Sequence, residues 1–319
     1  MPSPLVVTTS PPPAAFFESV LPPGTRVVKA GQSDLLEAVE GAAVVIGDWE
    51  HRVKIDAAAI AAMAGCRLIQ QPSAGYENID IEAARAAGIL VANAGPANAG
   101  AVAELAVMGA IAALRRVREA LREAESGAWD WQAWIDRDLP ELAESRVGIL
   151  GFGAIGQEIA RRLRPFGCAV MYNRRHRLSP EQEAELGVTY AELEPMLRRS
   201  DVLVLAAALN ASSARVIDAP RLAMLPADAV LVNVARGGLV DTEALVAALD
   251  SGRLAGAALD VFDPEPLPPN HPLTRARNVI LTPHIGGSTA ASKRRILMNS
   301  IANVNRALAG DAVQFVVNR

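Results

Sequence analysis

The sequence predicts an α/β protein built from two doubly wound parallel-sheet domains. Short apolar runs alternate with segments in which apolar residues recur at helical spacing, a pattern typical of parallel sheets covered by helices on both faces. The alternation occurs twice, before and after a break at Gly95-Pro96. A chain of 319 residues is long enough for two domains that each bury a core.

The composition is that of an ordinary globular protein, with 51% hydrophobic and 21% charged residues. A net charge of -4 argues against a nucleic-acid partner, because such partners select basic surfaces. No apolar run resembles a membrane span, and the N-terminus lacks the features of a signal peptide. Cys66 and Cys168 lie in apolar runs without metal-ligand spacing, which predicts buried free thiols. We expect a cytoplasmic protein without a metal site.

The first half of the chain predicts a complete small sheet by about residue 95. Its strands are short and rich in valine, isoleucine and leucine, and each candidate helix lies between two of them. The predicted strands are 5–8, 26–29, 43–46, 67–70 and 89–92, and the predicted helices are 34–40, 56–63 and 81–87.

A long helix is predicted after the break, with Asn98 as its N-cap, and it would connect the two domains. Apolar residues recur at every third position along it, namely Val102, Leu105, Met108, Ile111, Leu114 and Val117. A loop with Trp129, Trp131 and Trp134 is expected next. Internal packing and an interface between chains are equally good interpretations of this cluster.

The second half repeats the alternation and ends in a helix. The predicted strands are 147–150, 169–172, 202–205, 229–234, 256–259 and 279–282, and the predicted helices are 157–166, 190–198 and 242–251. The final helix has an apolar stripe through Leu297, Ile301, Val304 and Leu308, and Gly310 is expected to end it.

The second sheet begins with a glycine-rich turn, Gly151-Phe152-Gly153-Ala154-Ile155-Gly156, between a strand and a helix. This is the context in which the G-x-G-x-x-G pattern indicates dinucleotide binding. Gly151 permits the tight turn, Gly153 lets the backbone approach a pyrophosphate, and Gly156 lets the helix pack closely. The helix N-terminus would supply N–H groups to the phosphates.

Three ionisable residues, Arg236, Glu265 and His284, follow successive strands of the second sheet. Singly, each has an ordinary interpretation: a solvated arginine, a glutamate in a turn and a structural histidine. Ligands of open parallel sheets bind outside the carboxyl ends of the strands, where all three residues lie. Their coincidence beside a nucleotide motif therefore predicts an active site.

The chain resembles the D-isomer-specific 2-hydroxyacid dehydrogenases, a family that includes phosphoglycerate dehydrogenases and glyoxylate/hydroxypyruvate reductases. The resemblance covers nearly the whole chain, with specific motifs in the family's order and spacing. These motifs are SAGYENID at 73–80, GFGAIG at 151–156, VNVARGGLVD at 232–241, LDVFDPEP at 259–266 and TPHIGG at 282–287.

The resemblance implies a flavodoxin-like substrate domain, formed by residues 1–96 and 286–319, and a Rossmann dinucleotide-binding domain, formed by residues 97–285. The implied activity is the NAD(P)-dependent interconversion of a small 2-oxo acid and its D-2-hydroxy acid. Hydride would pass from the nicotinamide to the carbonyl carbon, with the substrate in a cleft between the domains and water excluded by closure.

The implied roles fit the chemistry of the side chains. His284 would donate the proton, Glu265 would hold its imidazole charged, and Arg236 would bind the substrate carboxylate. Backbone amides around Ala74 and Gly75 would bind the other carboxylate oxygen. The cofactor-binding residues implied in addition to the glycine motif are Asn173, Arg174, Arg175, Val234, Ala235, Asp260, Gly286 and Gly287.

Two positions depart from the family pattern. Leu205-Ala206-Ala207-Ala208 stands where the family often has a His-x-Pro turn, and Asn173 stands where an acidic residue often binds the ribose. A carboxylate there would repel a 2′-phosphate, whereas Arg174 and Arg175 can donate to one. We therefore expect NADP(H) to be preferred, with NAD(H) possible.

The resemblance also implies a homodimer, formed through the long helix and the tryptophan segment. In the reductases, a tryptophan from one subunit reaches the neighbour's active site, and Trp131 or Trp134 is a candidate for that role here. Phosphoglycerate dehydrogenase and a non-catalytic, dinucleotide-sensing corepressor remain alternatives. Formate dehydrogenases have glutamine where Glu265 stands, so the glutamate argues against that activity.

Overall fold

The computed structural model describes residues 3–319 and divides into two compact units. The N-terminal unit contains the residues up to Asn98 together with Ala290–Arg319, and the central unit is Ala99–Thr289. These borders lie within about four residues of the predicted domain borders. The assignment of substrate and dinucleotide binding to the units stays a prediction.

The N-terminal unit forms a five-stranded parallel sheet with strand order β2-β1-β3-β4-β5. Successive residues of its strands point to opposite faces: Val6 and Val44 pack in one core, whereas Val7 and Val45 pack in the other. Its elements are β1 (Leu5–Thr8), α1 (Ala14–Val20), β2 (Arg26–Lys29), α2 (Leu35–Ala38), β3 (Ala42–Ile46), α3 (Ala57–Ala62), β4 (Leu68–Gln70), α4 (Ile81–Ala86) and β5 (Leu90–Ala92).

The central unit forms a seven-stranded parallel sheet with strand order β12-β11-β10-β9-β6-β7-β8. Both faces are covered, and each face has its own apolar core. Its elements are α5 (Ala99–Leu114), α6 (Val117–Glu125), α7 (Trp131–Ile135), β6 (Arg146–Leu150), α8 (Ala154–Leu163), β7 (Ala169–Asn173), α9 (Pro180–Leu186), β8 (Val188–Tyr190), α10 (Leu193–Leu197), β9 (Val202–Leu205), α11 (Ala219–Leu222), β10 (Val230–Asn233), α12 (Thr242–Asp250), β11 (Gly256–Leu259) and β12 (Val279–Leu281).

The chain then returns to the N-terminal unit in α13 (Ala290–Ala309). Val304 is fully buried in the same core as Val6, and the side chain of Asn303 donates to Gln70 Oε1 at 3.0 Å. The helix ends at Gly310, which has a φ of +82°. The predicted terminal helix and its terminating glycine are therefore confirmed.

The predicted fold class, two doubly wound parallel-sheet α/β domains, is confirmed. Each predicted strand coincides with an observed strand to within one residue at either end. Within residues 3–319, no helix is long and apolar enough to cross a membrane. Cys66 and Cys168 are buried free thiols, as predicted.

The prediction of one long connecting helix is wrong in two respects. The helix stops at Leu114, and α6 starts at Val117 after Arg116 adopts a left-handed φ of 48°. In addition, alanine and glycine dominate its buried face, whereas Met108 is exposed. A stripe at every third residue drifts around a helix of 3.6 residues per turn, so it cannot stay on one face. Small side chains let α5 approach the sheet and α8 closely.

Three local predictions also need correction. Trp131 and Trp134 lie in the short helix α7, not in a loop, because Asp130 caps it by accepting from Ala133 N. The predicted helix 190–198 is shorter, since Tyr190 belongs to β8 and α10 begins at Leu193. The sequence reasoning missed β8 and the preceding α9, whose capping box of Ser179 and Gln182 was a readable signal.

Candidate active site

The turn between β6 and α8 has the geometry that its glycines predict. Gly151 has a φ of +88°, and a Cβ there would lie 2.3 Å from Ala207 N. A Cβ on Gly156 would lie 2.4 Å from Gly151 O, so the helix packs directly on the turn. A Cβ on Gly153 would meet no atom of the described chain within 4 Å. The turn is therefore closed at its ends and open at its middle glycine.

The N-terminus of α8 is suited to bind an anion. Gly153 is its N-cap, and no side chain of residues 3–319 caps this end. The N–H groups of Ala154 and Ile155, in the first turn, have no intrahelical acceptor. Their partial positive charge and the open space at Gly153 fit the pyrophosphate of a dinucleotide.

The end of β7 lies next to the glycine turn. The carbonyl of Asn173 accepts from Gly151 N at 3.0 Å, and the Asn173 amide donates to Ala191 O at 2.9 Å. Arg174 Nη1 donates to the carbonyl of Phe152, inside the glycine turn, at 3.3 Å. Arg175 is exposed at the same strand end. Two guanidinium groups thus stand at the position from which the ribose of a dinucleotide is recognised in this fold.

The alanines after β9, which stand where the family often has a His-x-Pro turn, pack beside the glycine turn. Ala206 N donates to Leu150 O at 2.8 Å, which continues the strand pairing by one residue. The backbone of the next residue, Ala207, then passes against Gly151. The residues that follow β9 therefore pack directly on the glycine turn.

Arg236 follows β10 in a turn shaped by a buried side chain. Asn233 is only 1% exposed, and its amide donates to Arg236 O at 2.9 Å and accepts from Ala235 N at 3.1 Å. Arg236 is half-buried, with Nη1 donating to Ala235 O at 2.7 Å. A Cβ on Gly237 would lie 1.9 Å from the carbonyl carbon of Phe262, so this turn packs directly on the segment before Glu265.

A second buried side chain, Asp260, shapes the loop that carries His284. Asp260 is 3% exposed, and its carboxylate accepts from Thr282 Oγ1 at 2.6 Å, Ile285 N at 2.8 Å and Gly286 N at 2.8 Å. Its backbone carbonyl accepts from His284 N at 2.9 Å. His284 adopts a left-handed φ of 54°, which these bonds hold in place.

The side chains of His284 and Glu265 form a close pair. His284 Nδ1 lies 2.7 Å from Glu265 Oε1, and Glu265 Oε2 accepts from Phe262 N at 3.3 Å. Because Nδ1 faces a carboxylate, it carries a proton, and the other ring nitrogen, Nε2, remains for chemistry. Both side chains are partly exposed, so a small molecule can reach them.

The pairing favours the charged form of the imidazole. The hydrogen bond that His284 donates to Glu265 raises the pKa of His284; burial opposes this, and the glutamate charge adds to it. Burial raises the pKa of Glu265, but the hydrogen bond and the charge of His284 outweigh it, so the net change is a lower pKa. The charge of Arg236 lowers the pKa of both groups.

The structure thus brings together the three ionisable residues that the sequence predicted. They follow β10, β11 and β12, which are adjacent in the sheet, and β10 lies two strands from β6 with its glycine turn. The other residues implied by the resemblance lie on the same turns: Val234 and Ala235 beside Arg236, and Asp260, Gly286 and Gly287 around His284.

Asn233 and the scaffold role of Asp260 were missed by sequence reasoning. Both are polar residues at the end of an otherwise apolar strand, the Asn as the last residue of β10 and the Asp directly after β11. A polar residue there must find partners once the strand is buried, and this was the available signal.

The segment Ala74-Gly75 lies after β4 in the N-terminal unit. Its carbonyls are engaged: Asn93 Nδ2 donates to Ala74 O at 2.8 Å, and Ser73 Oγ donates to Gly75 O at 2.7 Å. Within residues 3–319, its two N–H groups donate to no acceptor. Unpaired N–H groups on a half-buried turn fit an anionic ligand, and the predicted carboxylate-binding role stays a prediction.

Comparison with known proteins places this geometry in a family. Residues 107–286 match the family model "D-isomer specific 2-hydroxyacid dehydrogenase, NAD binding domain". A glyoxylate reductase of Thermofilum pendens is 37% identical over 83% of this chain and 79% of its own length. A glyoxylate reductase of Aeropyrum pernix is 39% identical over 79% of this chain and 76% of its own length.

A solved structure shows the same fold over the full length. The crystal structure of a glyoxylate reductase from Paecilomyes thermophila superposes with a TM-score of 0.88 at 30% identity, covering 99% of both chains. The motifs, the two parallel sheets and these similarities lead to one conclusion: this chain belongs to the D-isomer-specific 2-hydroxyacid dehydrogenase family.

Proposed function

We propose that this protein is a nicotinamide-dependent oxidoreductase that reduces a small 2-oxo acid to its D-2-hydroxy acid. The observation that carries the proposal is the His284–Glu265 pair, whose Nδ1 and Oε1 atoms lie 2.7 Å apart near the charge of Arg236. The pair follows strands of the same parallel sheet that carries the glycine turn. Relatives named as glyoxylate reductases support a small substrate such as glyoxylate.

His284 is the proposed proton donor. When bound, the dinucleotide supplies the hydride that reduces the carbonyl carbon. With Nδ1 held by Glu265, Nε2 releases its proton to the substrate's carbonyl oxygen, so the carbonyl becomes an alcohol and the imidazole becomes neutral. Glu265 stabilises the imidazolium before this step and keeps the ring oriented.

Arg236 is the proposed carboxylate ligand. Its guanidinium presents a planar fork of donors that matches a carboxylate, and its turn is fixed by Asn233 and Gly237. Its charge also lowers the pKa of His284 and thereby moderates the effect of Glu265. An imidazolium stabilised too strongly would be a weaker acid, so this balance favours proton transfer.

The proposed dinucleotide site runs along the carboxyl ends of the central sheet. The segment from Gly151 to Gly156 would hold the pyrophosphate on the α8 N-terminus. Arg174 and Arg175 would bind a 2′-phosphate, which makes NADPH the proposed cofactor. The residue at position 173 supports this choice, because the neutral amide of Asn173 does not repel that phosphate.

The direct test is a turnover assay on purified protein. Glyoxylate, hydroxypyruvate, pyruvate and bulkier 2-oxo acids are each mixed with NADH or NADPH, and loss of the reduced cofactor is followed by absorbance. We expect turnover with the small oxo acids. Tight dinucleotide binding without turnover of any oxo acid would overturn the proposal and favour the non-catalytic corepressor interpretation.

The proposed assembly is a homodimer through the helical segment of the central unit. Among the described residues, exposed large hydrophobic side chains concentrate there: Met108, Val117, Leu121, Trp129, Trp131 and Ile135. Trp129 is 82% and Trp131 79% exposed, and tryptophan is enriched at buried interfaces. A second copy would remove this apolar surface from water.

The third tryptophan, Trp134, has its partners within the chain. Trp134 Nε1 donates to Glu123 Oε2 at 2.6 Å, and the guanidinium of Arg137 lies 3.9 Å from the centre of its ring. Arg137 also pairs with Glu119 and Glu123 on α6. This network holds α7 on α6 and leaves Trp131 pointing outward on a fixed helix.

We expect Trp131→Ala to weaken the dimer. Loss of a tryptophan hot spot costs about 2 kcal/mol or more, which raises the dissociation constant by about 30-fold. Sedimentation at a series of concentrations measures it, with exposed Leu36→Ala in the N-terminal unit as the control. The substrate preference of the same variant tests whether this residue reaches the neighbour's active site. A dimer constant equal to that of Leu36→Ala would remove Trp131 from the interface.

The proposed location is a reducing compartment such as the cytoplasm. Cys66 and Cys168 are free and buried. Burial raises the pKa of the Cys66 thiol to about 11, so this thiol stays protonated and unreactive. Structural thiols of this kind are typical of proteins kept reduced.

A further inference from the structure

The turn after β3 in the N-terminal unit presents a histidine outside the site described above. Asp48 is 3% exposed, and its carboxylate accepts from Glu50 N and Arg52 N, each at 2.9 Å. The turn places His51 at a left-handed φ of 58°. A buried carboxylate and a sparsely populated backbone conformation mark this turn as built to hold the imidazole.

The His51 imidazole connects to the segment Ala74-Gly75 through one side chain. His51 Nε2 lies 2.9 Å from Ser73 Oγ, and Nδ1 lies 3.5 Å from Glu77 Oε2. Ser73 Oγ donates to Gly75 O at 2.7 Å and accepts from the buried Gln71 Nε2 at 2.9 Å. Two loops separated by more than twenty residues are therefore tied together at Ser73.

This Ser–His–Glu arrangement is not that of a nucleophilic triad. A nucleophilic serine gives its proton to the imidazole, whereas the single hydroxyl proton of Ser73 goes to the buried carbonyl of Gly75, which can only accept. The remaining lone pair of Ser73 then accepts from His51 Nε2–H. His51 is a donor here, and Ser73 transmits its position to Gly75.

We propose that His51 is a positioning residue for the carboxylate-binding segment Ala74-Gly75. The inference rests on the proposed function, because it assigns that segment to the carboxylate of the 2-oxo acid. His51 and Gln71 fix Ser73, Ser73 fixes the Gly75 carbonyl, and Asn93 fixes the Ala74 carbonyl. The Ala74 N–H shares a peptide plane with the Ser73 carbonyl, which accepts from Ala94 N at 3.0 Å, and the Gly75 N–H shares one with the Ala74 carbonyl. The hydrogen bond from Ser73 Oγ to Gly75 O fixes the following plane and closes the turn around both N–H groups.

Loss of carboxylate binding by this segment should affect KM and kcat differently. A carboxylate is present in the substrate before, during and after hydride transfer, so its binding contributes equally to the ground state and the transition state. Loss of that binding raises KM and leaves kcat nearly unchanged. A displacement of about 1 Å in a positioned group costs up to roughly 10²-fold.

His51→Asn is the test variant, because asparagine tolerates a positive φ but is too short to reach Ser73. We expect the KM for glyoxylate and the inhibition constant of oxamate, a carboxylate that does not react, to rise together by about 10- to 100-fold. Dinucleotide affinity should be unchanged. Arg52→Ala is the matched control, since its exposed side chain pairs with Glu50 on the same turn.

Ser73→Ala supplies a second, independent arm. If His51 acts through Ser73, Ser73→Ala should raise both constants similarly, and the double variant should be no worse than either single one. Unchanged KM and oxamate inhibition in a folded His51→Asn protein, or additive losses in the double variant, would overturn the proposal. The proposed function survives that outcome if wild-type protein turns over oxo acids; an inactive wild-type protein overturns both.

Discussion

Replacement of His284 by alanine is expected to lower kcat/KM for 2-oxo acid reduction by about 10²–10⁴-fold, the usual contribution of a positioned general acid. The imidazole is the acidic group whose pKa is held up by Glu265, and its loop is fixed by the buried Asp260. Without it, the proton must come from water, which is a weaker acid and is not held beside the carbonyl oxygen. Dinucleotide affinity should survive, because the glycine turn lies on a different strand end.

Two measurements separate a chemical role from a structural one. The dinucleotide dissociation constant and the thermal midpoint of His284→Ala should match those of the wild-type protein. His271→Asn is the control variant. His271 lies outside the proposed site, and asparagine keeps a side-chain acceptor for Leu273 N. Wild-type turnover in His284→Ala would remove this residue from the mechanism.

Glu265→Gln tests the pairing through the pH profile of the same assay. Reduction needs the protonated imidazole, so activity is present below the pKa of His284 and is lost as the pH rises through it. Glu265 raises that pKa. The neutral glutamine removes the charge that stabilises the imidazolium, and the alkaline limb of kcat/KM should therefore move to lower pH. An alkaline limb at the wild-type pH would contradict the proposed role of Glu265 in raising the pKa of His284.

The wild-type protein is expected to use NADPH with a higher kcat/KM than NADH, and the double variant Asn173→Asp with Arg174→Ala is expected to reverse that preference. Each charge-assisted hydrogen bond to a phosphate contributes about 1.5–3 kcal/mol, so loss of Arg174 should cost about 10- to 100-fold with NADPH. Aspartate at 173 would repel the 2′-phosphate and accept from a ribose hydroxyl, which favours NADH. Arg175→Ala should have a smaller effect.

Arg277→Ala is the charge-matched control for this experiment. It removes one exposed positive charge from the central unit, away from the glycine turn, so a general electrostatic effect would appear in both variants. Only the variant at Arg174 should change the ratio of the two kcat/KM values. A wild-type preference for NADH would contradict the assignment directly.

Eleven of the twelve strands in the described residues, and their division into two parallel sheets, were readable from the sequence alone. A strand buried on both faces of a parallel sheet is a continuous apolar run, and such runs as Val202–Leu205 have no competing interpretation between turn residues. The glycine turn was equally readable, because only glycine satisfies both the φ of Gly151 and its contact with Ala207. The strand-end rule then brought Arg236, Glu265 and His284 to one edge.

What the sequence alone determined is therefore local: the runs that become strands, the turn that must be glycine, and the residue types at each strand end. The tertiary structure decided what depends on distant partners. It buried the alanine face of α5 instead of its larger apolar residues, because close approach to the sheet and α8 needs small side chains. It also tied Asp260 to the His284 loop and His51 to Ser73. Such pairs are separated by more than twenty residues, and their hydrogen bonds exist only once the fold brings the loops together.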